Sequence, residues 1–142
     1  MIAQTPAATT ATWFPLTSHS LPAPHFAYSP VIRSGDFIHV SGLVGLDPSH
    51  GGLVSGGMAN EVQQIFFNLS ALCEELGVGL EQLMLARIYC ADFNQFAVIN
   101  QVWERFFQQR TPPARTSLGV TALPLGALVE MEFQFAIAPS LP

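Results

Sequence analysis

Val129-Glu130-Met131-Glu132-Phe133-Gln134-Phe135 alternates apolar and polar side chains without a break, and the alternation continues to Ile137. Successive side chains of a β-strand point to opposite faces of its sheet, so this period of two predicts a strand over residues 129–137. Its odd positions form an apolar face, and its even positions place Glu130 and Glu132 together on the other face. We therefore expect a sheet that packs one face against helices and carries two carboxylates on the other.

The first helix that covers this sheet is predicted upstream, where Asn60 opens it with Gln63 as its capping partner. Gly77 and Gly79 end it. Apolar residues recur between these ends at spacings of three and four, which is typical of an amphipathic helix. The stripe consists of Val62, Ile65, Phe66, Leu69, Leu72, Cys73 and Leu76.

A second helix is predicted after a buried strand over residues 83–91. Asp92 or Asn94 caps it, and it runs to about Arg110 because the two prolines at 112 and 113 forbid its continuation. Its apolar stripe consists of Phe96, Ile99, Trp103, Phe106 and Phe107.

The remaining segments complete a ββαβαββ order. Residues 26–32 and 37–41 read as two short strands joined by the turn Ser34-Gly35-Asp36. We expect an α+β fold with one sheet covered on one face by two helices. Residues 1–20 are rich in Thr, Ala, Ser and Pro and predict a loose N-terminal extension, whereas residues 21–142 predict a single domain.

Composition limits the classes of function. Charged residues make up 11% of the 142 residues, less than half of the usual ~25%, so much of the surface is expected to be buried between subunits of a homo-oligomer. The net charge of −5 argues against nucleic acid as a partner. The sequence contains no Lys, which excludes Schiff-base chemistry and a covalently held pyridoxal cofactor.

Other classes are excluded by missing patterns. The four histidines have no metal-ligand spacing, and no phosphate-binding loop is present, so we expect neither a metal nor a cofactor. No apolar run approaches the ~18 residues of a transmembrane helix, so no membrane association is expected. The N-terminus lacks the features of a signal peptide, and the expected location is the cytoplasm.

Pro113-Ala114-Arg115-Thr116-Ser117 is the segment that most strongly indicates chemistry. A guanidinium in a strand-like apolar stretch needs a partner, and its fork of donors suits a carboxylate ligand. Glu130 follows fifteen positions later and could position water or move a proton. The alternative is a structural ion pair between Arg115 and either Glu130 or Glu132, and the sequence leaves both interpretations open.

Four further residues are candidates for the lining of a site. Asn100 lies inside the apolar stripe of the second helix, where a buried amide either braces neighbouring backbone or faces a polar pocket. Tyr28 could close a pocket with its ring. Ser41 and Gly42 end a strand, and a glycine there permits close approach of a ligand.

Taken together, these segments resemble the Rid (YjgF) family of imine/enamine deaminases over about residues 24–138. The ordered set of matching pieces carries the resemblance. These pieces are Tyr28-Ser29, Phe37-Ile38-His39-Val40-Ser41-Gly42, Asp47-Pro48, Asn68-Leu69, Phe96-Ala97-Val98-Ile99-Asn100, Phe106-Phe107, Pro113-Ala114-Arg115, Leu123-Pro124 and Val129-Glu130-Met131-Glu132.

The resemblance implies a chorismate-mutase-like fold assembled as a homotrimer, with clefts between subunits and no cofactor. It implies hydrolysis of reactive 2-imino or enamine acids, such as 2-iminopropanoate, to 2-keto acids and ammonia. Arg115 would bind the substrate carboxylate, and Glu130, with main chain near Ser117, would orient the water. The residues Tyr28, Ser41, Gly42 and Asn100 would line or support the cleft.

Two positions depart from the family pattern. Ser117 stands where many members have Cys, and Leu43 stands where many have Gln after Ser-Gly. The second change leaves open a larger or pathway-specific substrate. Two other functions remain as alternatives: a non-catalytic trimer that binds small ligands or acts as a chaperone, and a ribonuclease, which the acidic charge disfavours.

Overall fold

The structure is a computed structural model, and it describes residues 12–137. Within that range the chain forms six strands and two α-helices. In chain order they are β1 (Trp13–Pro15), β2 (Val31–Ser34), β3 (Phe37–Val44), α1 (Met58–Leu76), β4 (Leu83–Cys90), α2 (Phe96–Phe106), β5 (Ala114–Gly119) and β6 (Val129–Ala136). The strands form one mixed sheet in the order β1-β2-β3-β6-β4-β5, in which β4 and β5 are parallel and the other neighbours antiparallel.

The predicted fold class is confirmed, and β6 forms its centre. The odd residues of β6 are almost completely buried, whereas Glu130, Glu132 and Gln134 alternate with them on the opposite face. Both helices contribute their apolar stripes to the same core as those odd residues. The period of two therefore separates a face covered by helices from an outer face that carries the carboxylates.

The start of α1 and the end of α2 differ from the prediction. Helix α1 begins at Met58 after Gly57, two residues before Asn60, whose side-chain amide instead donates to the Ser55 carbonyl at 3.0 Å. Gly77 ends α1 in the left-handed conformation, as predicted. Helix α2 follows a short 3-10 turn and stops at Phe106 rather than near Arg110. The exact ends of these helices depend on the geometry of the adjoining turns, which the sequence pattern does not predict.

Residues 12–20, the described part of the predicted N-terminal extension, lie against the rest of the domain. Trp13–Pro15 form β1 against β2, and the backbone N–H groups of His19 and Ser20 each donate to the Glu75 carboxylate at 2.7 Å. Residues 1–11 lie outside the described range. The strand expected over residues 26–32 is shorter, because regular pairing starts only at Val31.

A buried carboxylate ties α1 to the start of β6. The side chain of Glu61 is 5% exposed, and its Oε1 accepts a hydrogen bond from the Leu128 N–H at 2.9 Å. Burial raises the pKa of Glu61, and the backbone bonds partly offset that effect. Glu61 thus holds the backbone two residues before Glu130.

We expect Glu61→Ala to lower the free energy of unfolding by about 1–3 kcal/mol, because a buried N–H loses its acceptor. Glu61→Gln keeps an acceptor oxygen and should stay close to wild type in urea denaturation at neutral pH. The raised pKa means that the ionised carboxylate opposes folding as the pH rises, so the neutral amide removes that penalty. Equal destabilisation by both variants would show that the negative charge itself is required.

Candidate active site

A pocket of about 300 Å³ opens beside the point where β3 is irregular. Val40 pairs with Phe133 and Leu43 with Met131, so two residues of β3 stand opposite one residue of β6. This β-bulge re-aims the strand at Ser41 and Gly42. The pocket, which we call the glutamate pocket, is lined among others by Tyr28, Ser41, Gly42, Leu43, Leu125 and Glu130.

The bulge also fixes the segment that precedes β2. The Ser41 hydroxyl donates to the Ser29 carbonyl at 2.7 Å, and the Ser41 N–H donates to the Pro30 carbonyl at 2.9 Å. These two bonds hold the residue next to Tyr28 against the bulge. The Tyr28 side chain is 48% exposed and lines the pocket. The structure therefore places Tyr28 and Ser41 together, with Ser41 acting as the brace.

Glu130 is the acidic group of the pocket, and Gly42 makes room for it. A Cβ atom at position 42 would lie 2.3 Å from Glu130 Oε1, which is closer than real Cβ atoms approach other atoms. Glu130 is half-buried, and this burial raises its pKa, with a smaller contribution from the neighbouring charge of Glu132. Glycine at 42 thus lets a partly desolvated carboxylate stand against the backbone of the bulge.

The second carboxylate of β6 has a different environment. Glu132 accepts a hydrogen bond from the Tyr89 hydroxyl at 2.5 Å and lies 3.7 Å from Arg87 Nη1 and 3.6 Å from His39 Nε2. The bond to Glu132 raises the pKa of Tyr89. Glu132 is therefore held in a network on the outer face, whereas Glu130 forms no ion pair among the described residues.

Arg115 lies elsewhere, on strand β5 at the edge of the sheet. Its guanidinium carbon is 5.0 Å from the centre of the Trp103 ring and 5.7 Å from that of Phe96. Arg115 pairs in register with Ala86, which is buried in the core, and so belongs to the helix-covered face. Within residues 12–137 it forms no ion pair, and the structural pairing with Glu130 or Glu132 that the sequence left open is not observed.

Asn100 and Ser117 accompany Arg115. Asn100 lies on α2 four residues after Phe96 and three before Trp103, on the side of the helix whose rings face the guanidinium. Ser117 follows Arg115 by two positions in β5 and therefore shares its face of the strand. We call Asn100, Arg115 and Ser117 the arginine patch.

The seven predicted site residues thus form two clusters in the chain. Glu130 pairs with Tyr89 on the outer face of the sheet, whereas Arg115 lies in register with the opposite, helix-covered face. The arginine patch contributes no residue to the lining of the glutamate pocket. A single chain therefore does not bring the acid and the guanidinium to a common ligand.

Asn68 and Leu125 are two of the pocket residues that the sequence analysis did not predict as site residues. Asn68 is 2% exposed, donates to the Leu46 carbonyl at 2.8 Å and accepts from the Gln64 amide at 2.8 Å. Its spacing of three from Ile65 could have indicated a buried amide. Leu125 has φ 61° and ψ 16°, a left-handed conformation that costs a branched side chain about 1–2 kcal/mol. No sequence pattern indicates that strain.

Within residues 12–137, no group of three or more His, Cys, Asp or Glu side chains is arranged to hold a metal ion. The same residues include no helix that is both long and apolar enough to cross a membrane.

Comparison with known proteins identifies the family. The sequence profile of endoribonuclease L-PSP matches residues 18–137, which is nearly the whole described range. The chain belongs to this family, also called the YjgF/Rid family. The resemblance drawn from the sequence motifs is confirmed.

Individual relatives of this family agree with the assignment. The chain is 35% identical to the 2-iminobutanoate/2-iminopropanoate deaminase of Rattus norvegicus over 117 residues, 82% of this chain and 85% of the rat protein. It is 38% identical to a RutC family protein of Aquifex aeolicus over 112 residues, 78% of this chain and 89% of that protein. The crystal structure of yeast YEO7 superposes with a TM-score of 0.82 at 32% identity, covering 89% of this chain and 100% of the yeast chain.

Proposed function

We propose that this protein hydrolyses reactive 2-imino or enamine carboxylic acids to 2-keto acids and ammonia. The environment of Glu130 is the observation that carries this proposal. It is a half-buried carboxylate with a raised pKa, it faces a pocket, and no cation neutralises it among the described residues. Such a group can accept a proton from water and return it. The Rid-family relatives named as deaminases, at about 35% identity, support the same reaction class.

We propose further that the site is completed between protomers of a homotrimer. The glutamate pocket of one protomer would meet the arginine patch of its neighbour. The low charge content of the chain and the exposed apolar side chains of Phe93 and Leu118, near the patch, favour such an interface. This arrangement explains why seven residues that resemble a single family site lie on two faces of one chain.

In this reaction Arg115 binds the substrate carboxylate. Its guanidinium lies against the faces of two aromatic rings, which restricts its orientation and leaves its N–H edges available. A carboxylate can accept two parallel hydrogen bonds from such an edge. Backbone groups beside Ser117 and the Asn100 amide would border the same ligand.

Glu130 would then act on water at the imine carbon. Water adds across the C=N bond: its oxygen bonds to carbon, and one proton passes through the Glu130 carboxylate to the nitrogen. Proton transfer from the new hydroxyl and cleavage of the C–N bond release ammonia and leave the 2-keto acid. The sum is imino acid plus water giving keto acid plus ammonia, and no oxidant, metal or cofactor is needed. Positioning and one proton relay supply the catalysis.

The test is ammonia and keto-acid release from freshly generated 2-iminopropanoate and 2-iminobutanoate, compared with uncatalysed hydrolysis. We expect acceleration by wild type and a loss of about 100-fold in Glu130→Gln, which cannot relay a proton. Since the pKa of Glu130 is raised and the base must be ionised, wild-type activity should fall on acidification at a pH above the usual range of a glutamate. That acid limb should be absent in Glu130→Gln.

Stability provides the control for this variant. A carboxylate whose pKa is raised by folding destabilises the folded protein as it ionises, so Glu130→Gln should unfold at an equal or higher temperature than wild type at neutral pH. No acceleration by wild type, together with tight binding of small carboxylates, would favour the alternative of a ligand-binding trimer. Cleavage of RNA that declines with salt would favour the ribonuclease.

A further inference from the structure

We propose that Leu125 is a specificity-determining residue, and that the glutamate pocket prefers the imino acids of bulky apolar amino acids to the imine of alanine. The inference rests on the proposed function, because it names the substrate class of the same site. Three observations on Leu125 support it: its backbone is strained, its side chain is half-exposed, and it lines the pocket.

The backbone conformation at position 125 is unfavourable for a leucine. Among residues 12–137 it is the only non-glycine residue with positive φ, at 61°. Gly126 follows it with φ 74°, so the turn contains two successive left-handed residues. Glycine or asparagine would satisfy this conformation with less strain, because leucine has a branched side chain and no local hydrogen bond to offer.

Core packing does not explain the leucine either. The Leu125 side chain is 49% exposed, unlike the leucines of the core. It lies at the glutamate pocket, where Phe26 is also exposed to 68%. Exposed apolar side chains that rim a concave site are typical of surfaces that bind apolar ligands. A strained and half-exposed leucine at this place is best explained by contact with a ligand.

The interior of the pocket has matching chemistry. Leu43 and Leu46 line it together with Leu125. Two of the polar lining groups are already engaged, since the Ser41 hydroxyl donates to Ser29 and the Asn68 amide donates to Leu46. Away from Glu130, a substrate side chain would therefore meet mainly apolar surface.

The size of the pocket points the same way. Within one chain its volume of about 300 Å³ is at the lower limit for sites that enclose drug-sized ligands, which leaves room for a substrate side chain beside the carboxyl group that the neighbouring arginine patch would bind. Each additional methylene in an apolar pocket changes kcat/KM by about tenfold or more. The leucine-derived imine adds several carbons that can contact Leu125 and Leu43.

The test compares kcat/KM for imines generated in place from leucine and from alanine. We expect wild type to prefer the leucine-derived imine by about tenfold or more, and both Leu125→Ala and Leu125→Asn to reduce that ratio about tenfold. Leu125→Asn should also raise the melting temperature by a few degrees, since asparagine tolerates positive φ, whereas Leu125→Ala retains the strain. Phe67→Ala, an exposed aromatic on α1 outside both clusters, should leave the ratio and the activity unchanged.

A wild-type ratio near one, or a ratio that both Leu125 variants leave unchanged, would overturn the proposal. If no imine is hydrolysed faster, the deaminase function fails, and binding of the stable keto acids then decides the substrate class. Calorimetric preference for 4-methyl-2-oxopentanoate over pyruvate, lost in Leu125→Ala, would support the role of Leu125. Equal or absent binding of the two keto acids would overturn it.

Discussion

Arg115→Ala should reduce kcat/KM for 2-imino acids by about 100-fold or more while leaving the fold intact. In the proposed function the guanidinium supplies the paired donors for the substrate carboxylate, and hydrogen bonds to charged groups contribute about 1.5–3 kcal/mol each. Loss of two such bonds corresponds to two or more powers of ten in rate. Arg115 is exposed in the chain and lies outside the buried core, so we expect the fold to persist although the guanidinium no longer stacks on Trp103 and Phe96.

One further variant of Arg115 distinguishes geometry from charge, and a variant of Arg110 is its control. Arg115→Lys keeps a positive charge but loses the planar fork and its stacking on Trp103 and Phe96, so we expect an intermediate loss of about tenfold. Arg110 is the matched control, because it lies 5.0 Å from the centre of the Phe106 ring in a similar arrangement but outside both clusters. Arg110→Ala should retain full activity. Full activity in Arg115→Ala would refute the role of the guanidinium.

Much of the fold follows from local pattern, and β6 shows why. Its alternation fixes which side chains enter the core, because register errors of one residue would expose four buried apolar side chains. The stripes of the two helices follow from spacing in the same way. The helix ends are less well predicted, since Gly57 rather than Asn60 precedes α1. There, turn geometry outweighs side-chain preference.

Periodicity alone did not distinguish the environments of the two carboxylates, although the family resemblance singled out Glu130. Period two places Glu130 and Glu132 on one face, but their different environments come from neighbouring strands. Tyr89 and Arg87 on β4 engage Glu132, and Gly42 in the bulge of β3 makes room for Glu130. These contacts depend on strand order and register, which no local pattern encodes.

The same limit applies to Arg115 and Glu130. Their separation of fifteen residues suggests that they lie close together. In the structure β4 lies between their strands, and its register with both strands places Arg115 and Glu130 on opposite faces of the sheet. Leu125 is a harder case, because its sequence neighbours Pro124 and Gly126 indicate a turn but not which residue adopts positive φ. Strain of this kind appears only in the three-dimensional structure.

Mixed trimers of Arg115→Ala and Glu130→Gln chains should recover activity that neither variant has alone. We suppose that each site takes Arg115 from one protomer and Glu130 from the next. A site is then intact when the protomer that supplies Arg115 is a Glu130→Gln chain and the protomer that supplies Glu130 is an Arg115→Ala chain, because each chain supplies the residue that it has kept. Random assembly from equal amounts satisfies both conditions in about a quarter of the sites. Co-expressed variants with different affinity tags should therefore show roughly a quarter of wild-type activity.

Recovery of activity in the mixed trimers distinguishes a site shared between protomers from a site contained in one protomer, because the second arrangement predicts almost no recovery. A site contained in one protomer would always carry one of the two changes, so mixed assemblies would stay at the level of the single variants. The control is the double variant Arg115→Ala/Glu130→Gln mixed with an equal amount of wild type. A shared site is then intact only when both contributing chains are wild type. This condition again holds for about a quarter of the sites. Sedimentation must show a trimer throughout. Recovery in the first mixture, at the level of the second, would establish that the glutamate pocket and the arginine patch act together across an interface, whereas a monomer or a lack of recovery would refute the shared site.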